Sequence, residues 1–119
     1  MAMSQFETGQ LEIEQSQTET PDVTLFALNG PFTLGTMFPF QAILRDPATK
    51  GAIIEMAGVP YMDSAGMGLL MNQYVRCQTR GKKLIVSGAN NRVMDLFKIT
   101  KVDTVLPLAA SVEEAETDA

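Results

Sequence analysis

Hydrophobic and polar positions alternate in two different rhythms along this chain. At "QLEIEQSQ", Leu11 and Ile13 alternate with Glu12 and Glu14, a period of two that predicts a half-buried strand with one charged face. Such charges suit the edge of a sheet. "TPD" at 20–22 reads as a turn. "VTLFALNG" is a mostly apolar run, expected as a more completely buried strand. Thr36 is placed to cap a helix beginning at Met37, with Pro39 tolerated only in its first turn. Phe40, Ile43 and Leu44 line one face of that helix, and "RDPATKG" ends it.

"GAIIEMAGV" predicts a short buried strand. "SAGMGLLMNQYVRCQTRG" is the strongest helix signal. Met67, Leu70, Met71, Tyr74 and Cys77 or Gln78 recur at helical spacing, with Asn72, Gln73, Arg76, Thr79 and Arg80 opposite. Gly81 suits the position just past its end. "KKLIVSGAN" predicts another strand. "NNRVMDLFKIT" predicts a helix capped by Asn90 or Asn91, with Val93, Met94 and Phe97 inward. "DTVLPL" is expected to be a last short strand. "SVEEAE" is expected to be a last helix, with its acids in the first turn. The order β-β-α-β-α-β-α-β-α implies an α/β domain with a largely parallel sheet of about five strands and four helices.

Composition narrows the function classes. The 119 residues fit one domain, 45% hydrophobic and 19% charged. Residues 1–9 are expected to be a flexible start, 10–116 the folded domain and 117–119 an acidic end. No apolar run approaches the roughly 20 residues of a membrane span, so no membrane insertion is expected. The first base is Arg45, which predicts no signal peptide and a cytoplasmic location. There is no histidine and one cysteine, Cys77, so neither a metal site nor a cofactor is expected. Cys77 is read as a small hydrophobe. The net charge of −5 is concentrated in acids at both ends, leaving six acids against nine bases in residues 21–110. That density does not make a nucleic-acid-binding face.

The stretch "YMDSAGMG", Tyr61 to Gly68, joins a predicted strand to the predicted long helix, the junction where sites gather in open α/β sheets. Asp63 or Ser64 is a natural N-cap. Gly66 and Gly68 are unexplained by capping, since each costs about 1 kcal/mol in a helix interior. A serine nucleophile lacks the G-x-S-x-G elbow, a histidine and a Ser-x-x-Lys spacing. A nucleotide cradle lacks the P-loop and dinucleotide glycine patterns. A regulatory phosphorylation site at Ser64 needs no catalytic group in this chain.

The run "GAIIEMAGVPYMDSAGMGLLMN" resembles the central segment of STAS domains, the family of bacterial anti-sigma-factor antagonists. "GKKLIVSGANNRVMDLFKIT" and "SVEEA" are similar to the rest of that pattern, over roughly Gln10 to Ala115. The resemblance implies a non-enzymatic switch protein that binds an anti-sigma factor which is also a serine kinase. It implies phosphorylation of Ser64 by that kinase, and a phosphatase that resets it. Met62, Asp63, Ala65, Gly66, Met67 and Gly68 are then the surrounding motif, and Phe32 and Thr33 belong to a partner-binding loop. Ala65 stands where many members carry a second serine, which leaves one hydroxyl to modify. "GPFT" at Gly30 to Thr33 stands where many carry "GELD". A second role stays open, that of an unphosphorylated interaction module in a signalling or lipid-transport assembly. A monomer or weak dimer is expected.

Overall fold

The computed structural model describes residues 10–118. The expectation of a flexible start at 1–9 lies outside the described residues. The elements are β1 (Glu12–Gln17), β2 (Val23–Asn29), α1 (Phe38–Arg45), β3 (Gly51–Gly58), α2 (Ser64–Thr79), β4 (Leu84–Ser87), α3 (Asn91–Ile99), one 3-10 turn (Val102–Thr104), β5 (Leu108–Ala109) and α4 (Val112–Asp118). One five-stranded sheet runs in the order β1-β2-β3-β4-β5. The edge strand β1 is antiparallel to β2, and every other pairing is parallel.

Spatial order follows chain order, so each helical crossover steps one strand along the sheet, and like-handed steps stack α1, α2 and α3 on one face. Alternation within the strands fixes what each face holds. Phe26, Leu28, Ile54, Leu84 and Val86 point into the main core. There they meet Phe40 and Leu44 of α1, Leu70 and Cys77 of α2, and Val93 and Phe97 of α3. Phe40 packs edge-on against Phe26 and Phe32, with ring centroids 5.5 and 6.0 Å apart. Ile53 and Ile85 point the other way and are covered by Ala115 of α4. β4 is therefore buried on both faces, as its unbroken apolar run requires.

Four details depart from the sequence reading. Thr36 does not cap α1, which starts at Phe38 after Met37 with no side-chain cap. Its hydroxyl instead donates to Pro31 O at 2.7 Å and accepts from Thr33 N at 3.0 Å, closing the loop before the helix. The buried face of α2 centres on Leu69, Leu70, Gln73 and Cys77, while Met67, Met71 and Tyr74 are half-buried. Gln73 is tolerated inside because its amide reaches Cys77 Sγ at 3.9 Å. The last strand is Leu108–Ala109, because Asp103 and Thr104 go into the 3-10 turn and Leu106 turns into the core. α4 runs through Asp118, past the expected boundary at 116.

Candidate functional site

The site is a knot of two loops at the carboxyl ends of β2 and β3. Gly30 N donates to Gly58 O at 2.9 Å as the strands end. Beyond them the chains stay paired. Phe32 N donates to Tyr61 O at 3.1 Å, Asp63 N donates to Phe32 O at 3.3 Å, and Phe32 and Met62 form an isolated parallel bridge. Phe32 is fully buried and Met62 nearly so. They anchor the loops from beneath, Phe32 with no exposed surface.

Asp63 ties the knot. Its Oδ1 accepts from Gly66 N at 2.9 Å, the N-cap bond of α2. Its Oδ2 accepts from Leu34 N at 3.0 Å, which holds the other loop. Partial burial pushes the carboxyl up in pKa. The backbone N–H groups of Leu34, Gly66, Ala65 and Asp63 outweigh this and hold it below the ordinary carboxylate range. A carboxylate this well bonded is a poor base.

Ser64 is the first residue of α2 and is exposed. Among the described residues its hydroxyl makes no hydrogen bond. Asp63 fixes the helix start on which Ser64 stands. Ala65 and Met67 are half-buried, and Met67 Sδ accepts from Thr100 Oγ1 at 3.2 Å, which links α2 to the end of α3.

The two glycines differ in kind. A Cβ on Gly66 would lie 2.5 Å from Phe32 O and 3.0 Å from Met62 Cγ, so the loop crossing requires glycine there. A Cβ on Gly68 would meet nothing within 4 Å. Gly66 is structural; Gly68 faces open space.

Three exposed apolar side chains stand at this end of the molecule: Leu34 at 55%, Phe38 at 55% and Tyr61 at 40% exposure. Arg92 stacks on the Tyr61 ring, its guanidinium carbon 5.2 Å from the centroid. Thr33 is half-buried and spends its backbone on the Thr36 turn. Leu34 and Tyr61 fall within the stretches "GPFTLGT" and "YMDSAGMG", but the sequence did not mark either as the exposed apolar member, and Phe38 lies outside both. The available signal was large apolar residues inside loop stretches, the combination that marks contact surfaces.

The chain holds no histidine to act on Ser64, and burial pushes the Cys77 thiol up in pKa despite Gln73, Arg80 and Arg76. Among the described residues, no group of three His, Cys, Asp or Glu side chains could hold a metal. No described helix is long and apolar enough to cross a membrane.

The STAS domain family model matches residues 15–115. The chain belongs to the STAS domain family. The anti-sigma-B factor antagonist of Staphylococcus aureus is 27% identical over 70 residues, covering 59% of this chain and 65% of that protein. The match thus spans less than two-thirds of that relative's length. A Thermotoga maritima structure, described as a candidate anti-sigma factor antagonist, superposes with a TM-score of 0.80 at 16% identity, covering 89% of this chain and 92% of its own. The Bacillus cell fate determinant SpoIIAA in its phosphorylated form gives 0.70 at 16% identity, covering 90% of this chain and 98% of its own. At these identities the structural likeness is one of fold. The S. aureus relative is a regulator by name.

Proposed function

We propose that this STAS domain is an anti-sigma-factor antagonist that binds an anti-sigma factor acting as a serine kinase, and that phosphorylation of Ser64 by that kinase ends the complex. A phosphatase then restores the binding form. The observation that carries the reading is the exposed Ser64 hydroxyl, without a hydrogen bond among the described residues, at a helix start held by Asp63. A relative of the same fold that exists in a phosphorylated form supports it.

The physics of the modified state follows from the donors of the first turn. Asp63 already takes Gly66 N through its carboxylate and Met67 N through its backbone carbonyl. A phosphate on Ser64 would bring about −1.5 to −2 charges beside the Asp63 carboxylate. It would find Gly66 N and Met67 N already engaged by Asp63 and would extend toward solvent. Its effect would fall on the docked partner, through bulk, desolvation and like-charge repulsion, and only weakly on the fold. Leu34, Phe38 and Tyr61 would supply the apolar contact around it.

Incubation with the cognate kinase and ATP should add one phosphate, placed by mass spectrometry at Ser64, and Ser64→Ala should abolish it. Phosphate on another residue, or none with a kinase that binds, would overturn the proposal. Ser64→Asp should sharply weaken partner binding. Unchanged affinity would favour the constitutive interaction module, whose plainest support is the uncharged "GPFT" loop.

A further inference from the structure

Among the described residues, the bases inside the helices are Arg45, Arg76, Arg92 and Lys98. Arg45, Arg76 and Lys98 each stand in a last turn, where the negative end of the helix dipole favours a cation. Arg92 stands in the first turn of α3, directly after Asn91, where the dipole opposes it. That turn holds no acid to offset the charge. Among the described residues Arg92 joins no ion pair. It is held instead over the Tyr61 ring, 5.2 Å from guanidinium carbon to centroid. An exposed stack of this kind is of the same order as the opposition of the dipole, so the fold gains little from an arginine here. A residue that breaks a local rule with no gain to the fold marks a functional position.

The position is tied to the Ser64 end of the molecule. Asn90, two residues before Arg92, donates from its side-chain amide to Val59 O at 3.1 Å and to Pro60 O at 3.3 Å. The first turn of α3 is thereby fastened to the stretch that leads through Tyr61 into Ser64. The N–H groups of the Arg92 side chain meet no acceptor among the described residues. Asp63 supplies none, since its carboxylate serves Leu34 N and Gly66 N. A guanidinium held on an aromatic ring is pre-organised for a forked pair with a carboxylate. We propose that Arg92 is a specificity-determining contact of the Ser64 surface, and that it pairs with a carboxylate on the docked partner. The inference rests on the partner-binding reading of Ser64 and adds the chemistry of the partner's face: acidic opposite Arg92, apolar opposite Leu34, Phe38 and Tyr61. A partner that brings a base to this position meets like charge and is rejected.

The test is isothermal calorimetry of the full chain with the anti-sigma factor kinase, at about 50 and about 300 mM salt. Arg92→Gln should weaken the complex by about tenfold or more and flatten its salt dependence. Arg92→Lys, which keeps the charge but not the planar fork, should bind between the two. Arg45→Gln, at the last turn of α1, reports the effect of net charge alone and should bind as the parent does. The melting temperature of Arg92→Gln should stay within about 2 °C of the parent, because lost stacking and relieved dipole repulsion offset each other. Arg92→Glu should bind still more weakly, and reversal of one partner carboxylate to lysine should restore it. Parent-like binding by Arg92→Gln, equal losses for Arg92→Gln and Arg45→Gln, or a loss of affinity that tracks a fall in melting temperature would each overturn the proposal. The Ser64 reading is scored separately on the same samples. A kinase that binds without modifying Ser64 sinks that reading alone, and the Arg92 comparison is still read on the complex.

Discussion

Gly66 and Gly68 sit two residues apart in one helix and should respond differently to alanine. Both substitutions gain about the same helix propensity, roughly 1 kcal/mol, because each residue lies inside α2. At Gly68 that gain stands alone, since the new methyl meets nothing within 4 Å. At Gly66 the methyl would be 2.5 Å from Phe32 O, a distance that forces either the helix or the loop to move. That carbonyl accepts from Asp63 N at 3.3 Å, so moving it loosens the crossing that positions Ser64. Overpacking of this kind costs about 1–3 kcal/mol.

Propensity cancels in the comparison, so the difference between the variants isolates the steric cost. For a domain of this size, 1–3 kcal/mol corresponds to a melting-temperature gap of roughly 4–12 °C. Gly68→Ala should melt above the parent and Gly66→Ala below Gly68→Ala by that gap, read by circular dichroism. Equal melting temperatures for the two variants would refute the assignment of Gly66 to the loop crossing. If Gly68→Ala is stabilised yet binds the partner more weakly, Gly68 lies under the docked partner.

Asp63 should make stability acid-sensitive. Its pKa is depressed in the folded state, so its contribution is present above the unfolded value of about 3.9 and is lost as pH falls below it. Urea titrations across that range should show a flatter acid limb for Asp63→Asn, which keeps a cap without the charge. Asn90→Ala should cost about 1–2 kcal/mol, since Asn90 accepts from Val93 N at 2.9 Å and donates to Val59 O at 3.1 Å. Asn90→Ser should recover only the cap in the same denaturation assay. Leu34→Ala and Phe38→Ala should leave melting nearly unchanged while weakening partner binding by about 1 kcal/mol or more each, measured by calorimetry.

The element order was legible because periodicity changes cleanly between two and 3.6 along the chain. Three caps were legible because Asp63, Asn90 and Ser111 stand where helices begin, and each accepts from the N–H three residues on, whereas the expected Thr36 cap of α1 does not form. The orientation of α2 was less so. Polarity marked Gln73 as outward, yet its bond to Cys77 lets it sit at 3% exposure, while Val75 is 55% exposed. The end of the sheet was shifted because "DTVLPL" contains enough apolar residues for a strand. Leu106 is instead a core plug, and Pro107 contributes only its carbonyl, to Val86 N at 3.0 Å. At the site, the sequence did not tell the buried members of the motif from the exposed ones. Residue type alone does not say that Phe32 is buried and Leu34 exposed; the bridge to Met62 decides it.

That division bears on what kind of switch the site can be. The residues that shape the motif, Phe32, Met62, Asp63 and Gly66, are engaged with one another. Ser64, Leu34, Phe38 and Tyr61 keep exposed side chains, and a Cβ on Gly68 would meet open space. A charge added at Ser64 would therefore act on a surface whose geometry is already fixed by other bonds. A switch built this way would change affinity without changing fold, because Asp63 rather than Ser64 holds the helix start. The reverse arrangement, with Ser64 as the cap, would couple phosphorylation to fraying of α2. Hydrogen exchange of the first turn in the phosphorylated protein distinguishes them, and the bonding of Asp63 calls for protection at Gly66 and Met67 to be retained.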